Sequence, residues 1–174
     1  MRDANRLFIA SDSNADGLLD TAWKTTRKPA RGGISNLLCI AEPLDILSKE
    51  LGNVADRVTV ILPWGSLLRA VAAPEVASLL QIASLCSSDA SIEVVFSCDP
   101  QCDAGESARL GISHTDERHI KLTLPELYRQ AGLRIVAAAK LPQRELSMYE
   151  TAWAKRLATG RPRDVWSICA TRKE

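Results

Sequence analysis

The fold of this chain is indicated most clearly by the stretch Arg57-Val58-Thr59-Val60-Ile61-Leu62-Pro63-Trp64-Gly65-Ser66-Leu67-Leu68. Its first six residues are mostly β-branched or apolar, which is typical of a buried strand, and Pro63 ends the run. Trp64 and Gly65 follow at the carboxyl end of that strand. A tryptophan held there is a candidate stacking platform for a ligand, and a ring that covers the end of the sheet is an equally good structural explanation.

Five other short apolar runs predict strands, and stretches with helical spacing lie between them. The strands are residues 7–11, 37–40, 92–96, 133–137 and 165–169, and the helices are roughly residues 15–27, 74–85, 124–130 and 143–159. Parallel strands need long crossovers, so this alternation predicts an α/β fold with a mostly parallel sheet. The last two strands have one helix between them and can pair antiparallel at an edge. At 174 residues, we expect a single domain over residues 1–174.

The composition is that of a globular protein, with 46% hydrophobic and 25% charged residues. No apolar run has the length of a membrane span, and the first residues lack the apolar stretch of a secretory signal, so we expect a cytoplasmic protein. The cysteines are five in number and scattered, which favours free thiols over disulfides. No Cys/His spacing predicts a metal site.

The net charge of +1 hides two basic clusters. No acidic residue lies between Asp20 and Glu42, where four cations occur, and four more occur near the end of the chain. Such clusters form one positive face if the fold brings them together, whereas solvated helix faces are the ordinary alternative. The two groups are Lys24, Arg27, Lys28 and Arg31, and Lys155, Arg156, Arg161 and Arg163.

Ligands of open parallel sheets bind beyond the carboxyl ends of the strands. Three places there hold candidate residues: Asp12, the pair Leu44-Asp45, and residues 63–66. A carboxylate such as that of Asp12 can accept hydrogen bonds from ribose hydroxyls, and it is also a common turn or helix-cap residue. Trp153 lies on a predicted helix with three-and-four apolar spacing, so packing is its default role.

Three stretches together resemble the 16S rRNA (adenine(1408)-N1)-methyltransferases, the kanamycin–apramycin resistance family. They are Lys28-Pro29-Ala30-Arg31-Gly32-Gly33-Ile34-Ser35-Asn36-Leu37-Leu38, Leu62-Pro63-Trp64-Gly65-Ser66-Leu67-Leu68 and Trp153-Ala154-Lys155-Arg156-Leu157-Ala158-Thr159-Gly160-Arg161. The resemblance implies a Rossmann-like methyltransferase fold with S-adenosylmethionine as cofactor. It implies methylation of an adenine N1 in the decoding site of 16S rRNA, within the small ribosomal subunit, and hence aminoglycoside resistance. A monomer that binds neither DNA nor membrane is expected.

The resemblance also implies roles for individual residues. Asp12 would hold the cofactor ribose, Leu44 and Asp45 would lie beside its adenine where the family usually has Ala-Glu, and Ser66 would line the methionine end. Trp64 and Trp153 would sandwich the target adenine, with Thr151 supporting the second ring. The residues implied to meet the RNA backbone are Lys24, Lys28, Arg31, Arg109, Lys155, Arg156, Arg161 and Arg163.

The sequence departs from the family pattern at its start. Family members begin with a strand and a loop resembling Asp-x-Gly-x-Gly-x-Gly, and no glycine cluster precedes Asp12 here. We therefore expect the first strand and one wall of the cofactor pocket to be missing. The 174-residue chain should then bind S-adenosylmethionine poorly in isothermal titration. The alternatives are a truncated, catalytically silent RNA- or ribosome-binding protein and a small-molecule methyltransferase, which the basic clusters disfavour.

Overall fold

The computed structural model describes residues 5–99, 101–112 and 115–173. The structure has two compact units, Met1–Glu50 and Leu51–Glu174, and the single domain expected over residues 1–174 stays a prediction. Both units combine strands and helices, which confirms the α/β fold class.

The first unit contains two parallel strands, β1 (Phe8–Ser11) and β2 (Leu37–Ile40), in a register that pairs Phe8 with Leu37. The crossover between them is made of a 3-10 turn, a helix and a second 3-10 turn, and one more helix follows β2. These elements are Ala15–Leu18, α1 (Leu19–Thr25), Pro29–Arg31 and α2 (Leu44–Glu50). The predicted helix at residues 15–27 therefore starts as a 3-10 turn. Among the described residues of this unit, the buried apolar side chains are Leu18 and Leu37.

The second unit contains a four-stranded sheet of order β3-β4-β6-β5. Strand β3 is parallel to β4, and β6 is antiparallel to both of its neighbours, which confirms the predicted antiparallel edge. The strands are β3 (Ala55–Ile61), β4 (Cys86–Ser97), β5 (Leu133–Lys140) and β6 (Val165–Arg172). The helices are α3 (Gly65–Ala72), α4 (Val76–Leu85), α5 (Ala104–Leu110), α6 (Leu124–Gln130) and α7 (Ala152–Ala158). A π-helical stretch at His119–Thr123 leads into α6, and a 3-10 helix at Gln143–Met148 precedes α7.

Two predicted elements differ from the structure. The single helix predicted at residues 143–159 is wrong, because the chain breaks between the 3-10 helix and α7. At this break Tyr149 takes an extended backbone, and its hydroxyl donates to Glu93 Oε1 on β4 (3.1 Å). Strand β4 is 12 residues long, since its polar first half also pairs with β3 and no apolar run marks it in the sequence.

The register gathers four chain segments at one edge of this sheet. Ile61 pairs with Val95, Ser97 with Val165 and Lys140 with Trp166. The carboxyl ends of β3, β4 and β5 and the beginning of β6 therefore meet there. A set of buried side chains packs over this edge, and we call it the edge cluster: Leu62, Val95, Leu146, Ala154, Leu157 and Val165.

Helices α3 and α4 form the most apolar part of the second unit. Leu68, Val71 and Leu79 are fully buried, and Tyr128 donates a hydrogen bond to the Val71 carbonyl at the end of α3 (3.3 Å). No single helix in the described part of the chain is long and apolar enough to cross a membrane. Within the described ranges, α3 and α4 taken together, with a bend of 98° between them, meet the requirement of length and composition.

Candidate functional site

The turn after β3 presents Trp64 to solvent. Leu62 is buried in the edge cluster, donates its backbone N–H to the Val95 carbonyl (2.7 Å) and has a φ of 49°. A left-handed conformation is costly for a residue other than glycine, by about 1–3 kcal/mol, and persists only where surrounding contacts enforce it. Gly65, with a φ of 61°, then starts α3. Trp64 between them is 54% exposed.

A charged pair lies behind this turn. Arg109 donates to both carboxylate oxygens of Glu106, from Nε (2.7 Å) and Nη2 (2.6 Å). The Arg109 hydrogen bond, and to a smaller extent the backbone N–H of Gly65, lower the pKa of the Glu106 carboxyl. The Glu106 side chain is only 10% exposed, so Arg109 is tied to a shielded carboxylate beside the turn that carries Trp64.

Trp153 is placed by the helix α7. Thr151 caps this helix, because its hydroxyl oxygen accepts the N–H of Ala154 (3.0 Å). Ala154 and Leu157 belong to the edge cluster, as does Leu62. The same buried cluster therefore anchors the helix that carries one tryptophan and the turn that carries the other. This shared anchor explains why residues 89 positions apart in sequence meet.

The two indole rings lie next to each other in edge-to-face contact. Their centroids are 6.3 Å apart and their planes are inclined by 81°. The two rings are close together and exposed, and they are not parallel as they would be when stacked around a base. The charge distribution of aromatic rings favours edge-to-face contact when nothing lies between them. Arg156 stands over the Trp153 ring at 5.6 Å from its centroid.

The basic residues implied to contact RNA differ in their exposure and in their ion pairs. Arg163 is 13% exposed, and its Nη1 lies 3.3 Å from both carboxylate oxygens of the buried Asp103. Because this guanidinium is largely withdrawn from solvent, its visible role is to join the loop before β6 to the loop after β4. Arg109 is exposed but paired with Glu106. The remaining six are exposed: Lys24, Lys28 and Arg31 in the first unit, and Lys155, Arg156 and Arg161 in the second.

The basic segment of the first unit folds tightly on itself. Arg31 and Gly33 both donate their backbone N–H to the Lys28 carbonyl, at 2.8 and 3.1 Å. A Cβ on Gly33 would overlap the carbonyl group of Arg27. This explains the glycine at position 33 of the Lys28–Leu38 stretch, since only glycine permits such a close approach. We call residues 24–33 the basic loop.

The predicted cofactor residues lie at strand ends. Asp12 follows β1 directly and is exposed, and one of its carboxylate oxygens accepts the N–H of Asn14 (2.9 Å). Leu44 and Asp45 open helix α2, four residues after the parallel partner strand β2, and therefore lie at the same sheet edge. Ser66 is exposed in the first turn of α3. In the described part of the chain, no group of three His, Cys, Asp or Glu side chains could hold a metal ion.

Sequence reasoning missed three polar residues of this region. Asp103 and Glu106 hold arginines to which the resemblance gives a role in RNA binding, and Gln143 contacts the loop that follows α7. The i,i+3 spacing of Glu106 and Arg109 is the one available signal, because it predicts a pair on a helix face. Asp103 and Gln143 contact residues 60 and 14–20 positions away, which no local pattern indicates.

A family model and several known proteins are similar to this chain. Residues 1–172 match the family model described as NpmA: 16S rRNA (adenine(1408)-N(1))-methyltransferase. Enzymes of that name from Escherichia coli and Streptoalloteichus tenebrarius are 29% and 30% identical to the chain. The matches cover 97% and 98% of this chain and 77% and 78% of those relatives.

Solved structures are similar as well. The aminoglycoside resistance methyltransferase NpmB1 superposes with a TM-score of 0.78 at 41% identity, over 94% of this chain and 74% of that one. A variant of the 16S rRNA (adenine(1408)-N(1))-methyltransferase from Catenulisporales acidiphilia, solved with its cosubstrate SAM, gives a TM-score of 0.81 at 25% identity. That match covers 95% of this chain and 75% of the other. The expected family is thus confirmed, and the chain belongs to the 16S rRNA (adenine(1408)-N(1))-methyltransferases.

Proposed function

We propose that this chain transfers a methyl group from S-adenosylmethionine to N1 of the adenine at position 1408 of 16S rRNA, within the small ribosomal subunit. The observation that supports this most directly is the exposed pair Trp64 and Trp153, 6.3 Å apart, with Arg156 over one ring. Enzymes that modify a base extrude it and stack it between aromatic side chains. Methylation there accounts for aminoglycoside resistance, and the substrate places the enzyme in the cytoplasm.

The chemistry needs positioning rather than proton transfer. Adenine N1 has a lone pair and no proton, so it can attack a methyl group without a general base. The exposed indoles can stack on the base, which contributes about 1–3 kcal/mol per base. Their faces also favour the positive charge that forms on an N1-methylated adenine. Orientation alone can lower a barrier by several kcal/mol when the reacting atoms are aligned.

The tryptophan pair must open to admit a base. Two rings that sandwich a third lie about 7 Å apart, twice the contact distance of carbon atoms, and they lie parallel to it. In the structure the planes are inclined by 81°, so one indole has to turn by about a right angle. Trp64 at 54% exposure and Trp153 at 38% both have solvent beside them for this rotation. We propose that extrusion of the adenine and rotation of a ring are coupled.

The cofactor residues suit S-adenosylmethionine in kind. When bound, this cofactor supplies a methyl group on a positively charged sulfur. The Asp12 carboxylate is exposed at the end of β1 with one oxygen engaged by Asn14, and carboxylates in this place accept ribose hydroxyls. Leu44 and Asp45 share that edge and would lie beside the cofactor adenine. The exposed Ser66 hydroxyl would line the methionine end.

Recognition of the RNA is proposed to depend on phosphate contacts. The six exposed cations would fix the enzyme on a folded RNA surface without reading base sequence. Arg109 and Arg163 are left out of this set as primary contacts, because their guanidinium groups already hold Glu106 and Asp103. Thr151 supports the site indirectly by capping the helix of Trp153.

Methylation of purified small subunits tests the proposal. Subunits are incubated with the chain and S-adenosylmethionine, and reverse transcription is used to map stops in 16S rRNA. A single new stop at adenine 1408 is expected. A stop elsewhere, or methylation of free nucleosides instead of subunits, would contradict the assignment. Binding to subunits without any methylation would favour the catalytically silent RNA-binding protein.

A further inference from the structure

The loop between α7 and β6 is held by one side chain from outside it. Gln143, at the start of the 3-10 helix, donates from Nε2 to the carbonyls of Leu157 (2.5 Å), Arg161 (3.1 Å) and Gly160 (3.3 Å). Its Oε1 accepts the N–H of Arg163 (3.3 Å). A carboxamide has two N–H donors, so these three carbonyls share them, and every side-chain contact of Gln143 described above goes to this one loop or to its flanking residues.

These contacts fix the loop at both of its ends. The Leu157 carbonyl lies in the last turn of α7 and also accepts the backbone N–H of Gly160 (3.2 Å), so Gln143 adds a side-chain hydrogen bond to the end of this helix. The Arg163 contact holds the other end, next to the buried pair of Arg163 and Asp103. Between the ends lies Arg161, which is exposed and whose own carbonyl is one of the acceptors.

We propose that Gln143 is a positioning residue for RNA binding, which acts by holding the backbone from which Arg161 projects. The inference rests on the proposed contact of Arg161 with the RNA backbone. A flexible loop would have to be ordered when the enzyme binds, and that ordering weakens affinity. Gln143 orders it beforehand through its hydrogen bonds to the loop backbone.

Binding of small subunits to the purified chain tests the proposal by filter retention, with Kd as the readout. Gln143→Ala and the size-matched Gln143→Met should each raise Kd roughly tenfold, since a factor of ten corresponds to about 1.4 kcal/mol. Gln143→Met retains the bulk of the side chain, so it separates lost hydrogen bonds from lost packing. Gln130→Ala is the matched control, because Gln130 is exposed and its side chain donates to Glu126 on its own helix (3.0 Å).

A double-mutant cycle with Arg161→Ala distinguishes positioning from general destabilisation. If Gln143 acts through Arg161, replacing Gln143 in the Arg161→Ala background should have almost no effect. The expected rise in Kd is about twofold or less, which is the usual deviation in such a cycle. Amide hydrogen exchange of residues 159–163 should speed up in the Gln143 variants. Full additivity, or an unchanged Kd despite faster exchange, would overturn the proposal.

The outcomes separate this inference from the proposed function. If the chain binds subunits but does not methylate them, the catalytic proposal fails and the Gln143 effect on Kd is still measured. If the chain methylates adenine 1408 and the Gln143 variants bind as tightly as the parent chain, only the inference fails. If the parent chain does not bind small subunits at all, both are overturned.

Discussion

At the scale of single residues, the decisive feature is that two exposed tryptophans are held by buried neighbours. Leu62, in a left-handed conformation, and Ala154 and Leu157 pack in the edge cluster, while Trp64 and Trp153 project from it. The two rings therefore face solvent while buried neighbours hold the backbone near them. This combination suits a site that must open for a base and then align it.

Replacing either tryptophan should impair methyl transfer selectively. Loss of one stacking surface removes about 1–3 kcal/mol, so Trp64→Ala and Trp153→Ala should each lower kcat/KM for small subunits by roughly tenfold to a hundredfold. Trp64→Phe keeps a stacking face and should recover part of the activity. Isothermal titration should show the same affinity for S-adenosylmethionine in all variants, and unchanged kcat/KM in both alanine variants would remove the site assignment.

Tyr149 gives the second unit a pH dependence at high pH. Burial, followed by the hydrogen bond to Glu93, raises the pKa of Tyr149 to about 12, above the ordinary value of about 10. The unfolded chain thus loses this proton at lower pH than the folded chain does. Its contribution to stability is complete below pH 10 and is lost as the pH rises towards 12.

Urea unfolding of the parent chain and of Tyr149→Phe checks this sign. At pH 7 the phenylalanine variant should be less stable by about 1 kcal/mol, because a hydrogen bond to a carboxylate is lost. Between pH 9.5 and 11 the difference between the two proteins should shrink. A difference that stays constant or grows with pH would contradict the raised pKa.

At the scale of elements, Gly33 allows the basic loop to close tightly, and this closure sets the positions of the cations on the loop. Gly33 approaches Arg27 so closely that a side chain does not fit, and the loop closes through hydrogen bonds to the Lys28 carbonyl. In this closed loop the side chains of Lys28 and Arg31 are exposed to solvent. The loop is thus a shaped display of positive charge rather than a flexible basic tail.

Gly33→Ala should therefore distort this loop. The backbone must move to relieve the overlap, which destabilises the first unit by more than about 1 kcal/mol. The Kd for small subunits should rise although no charge is removed. Gly105→Ala is the control, because a Cβ at Gly105 would meet nothing within 4 Å. Tight binding by Gly33→Ala, equal to that of the control, would show that the loop shape is irrelevant to affinity.

The sequence predicts elements better than it predicts their breaks. Runs such as residues 37–40 and 124–130 match β2 and α6, because their periodicity and flanking residues agree. The interruption before α7 was missed, since it depends on Tyr149 reaching Glu93 across the sheet. For the site, the resemblance implies both tryptophans and a supporting role of Thr151, and the structure adds that Thr151 caps α7. The edge-to-face rings and the partners of Arg109 and Arg163 depend on tertiary contacts that no local spacing contains.

At the scale of the whole molecule, a net charge of +1 coexists with six exposed cations in two places. Acidic residues elsewhere in the chain keep the net charge low. Glu117 and Glu126, for example, pair with cations on their own helices and not with these six. Overall charge is therefore a poor guide to RNA binding in this protein. The local concentration of exposed cations is the better guide.

Binding to small subunits should consequently weaken steeply as salt rises. Each phosphate contact contributes a slope of about 0.7–0.9 in log Kd against log salt. Arg161→Gln should lower the slope by about 1. Arg134→Gln is the control, since Arg134 is exposed near the start of β5, at the opposite end of the strand from the site edge. Equal slopes for the parent chain and Arg161→Gln would exclude a phosphate contact at Arg161.

The two units differ sharply in the number of apolar side chains that they bury, and this difference bears on how long the protein survives in a cell. Leu18 and Leu37 are the buried apolar residues of the described part of the first unit, whereas the second has a large core. A region with so little interior opens often and offers its backbone to proteases. Any molecule that binds the first unit only when folded slows this loss. If S-adenosylmethionine is held at Asp12, Leu44 and Asp45 as proposed, its binding would slow the degradation of the enzyme.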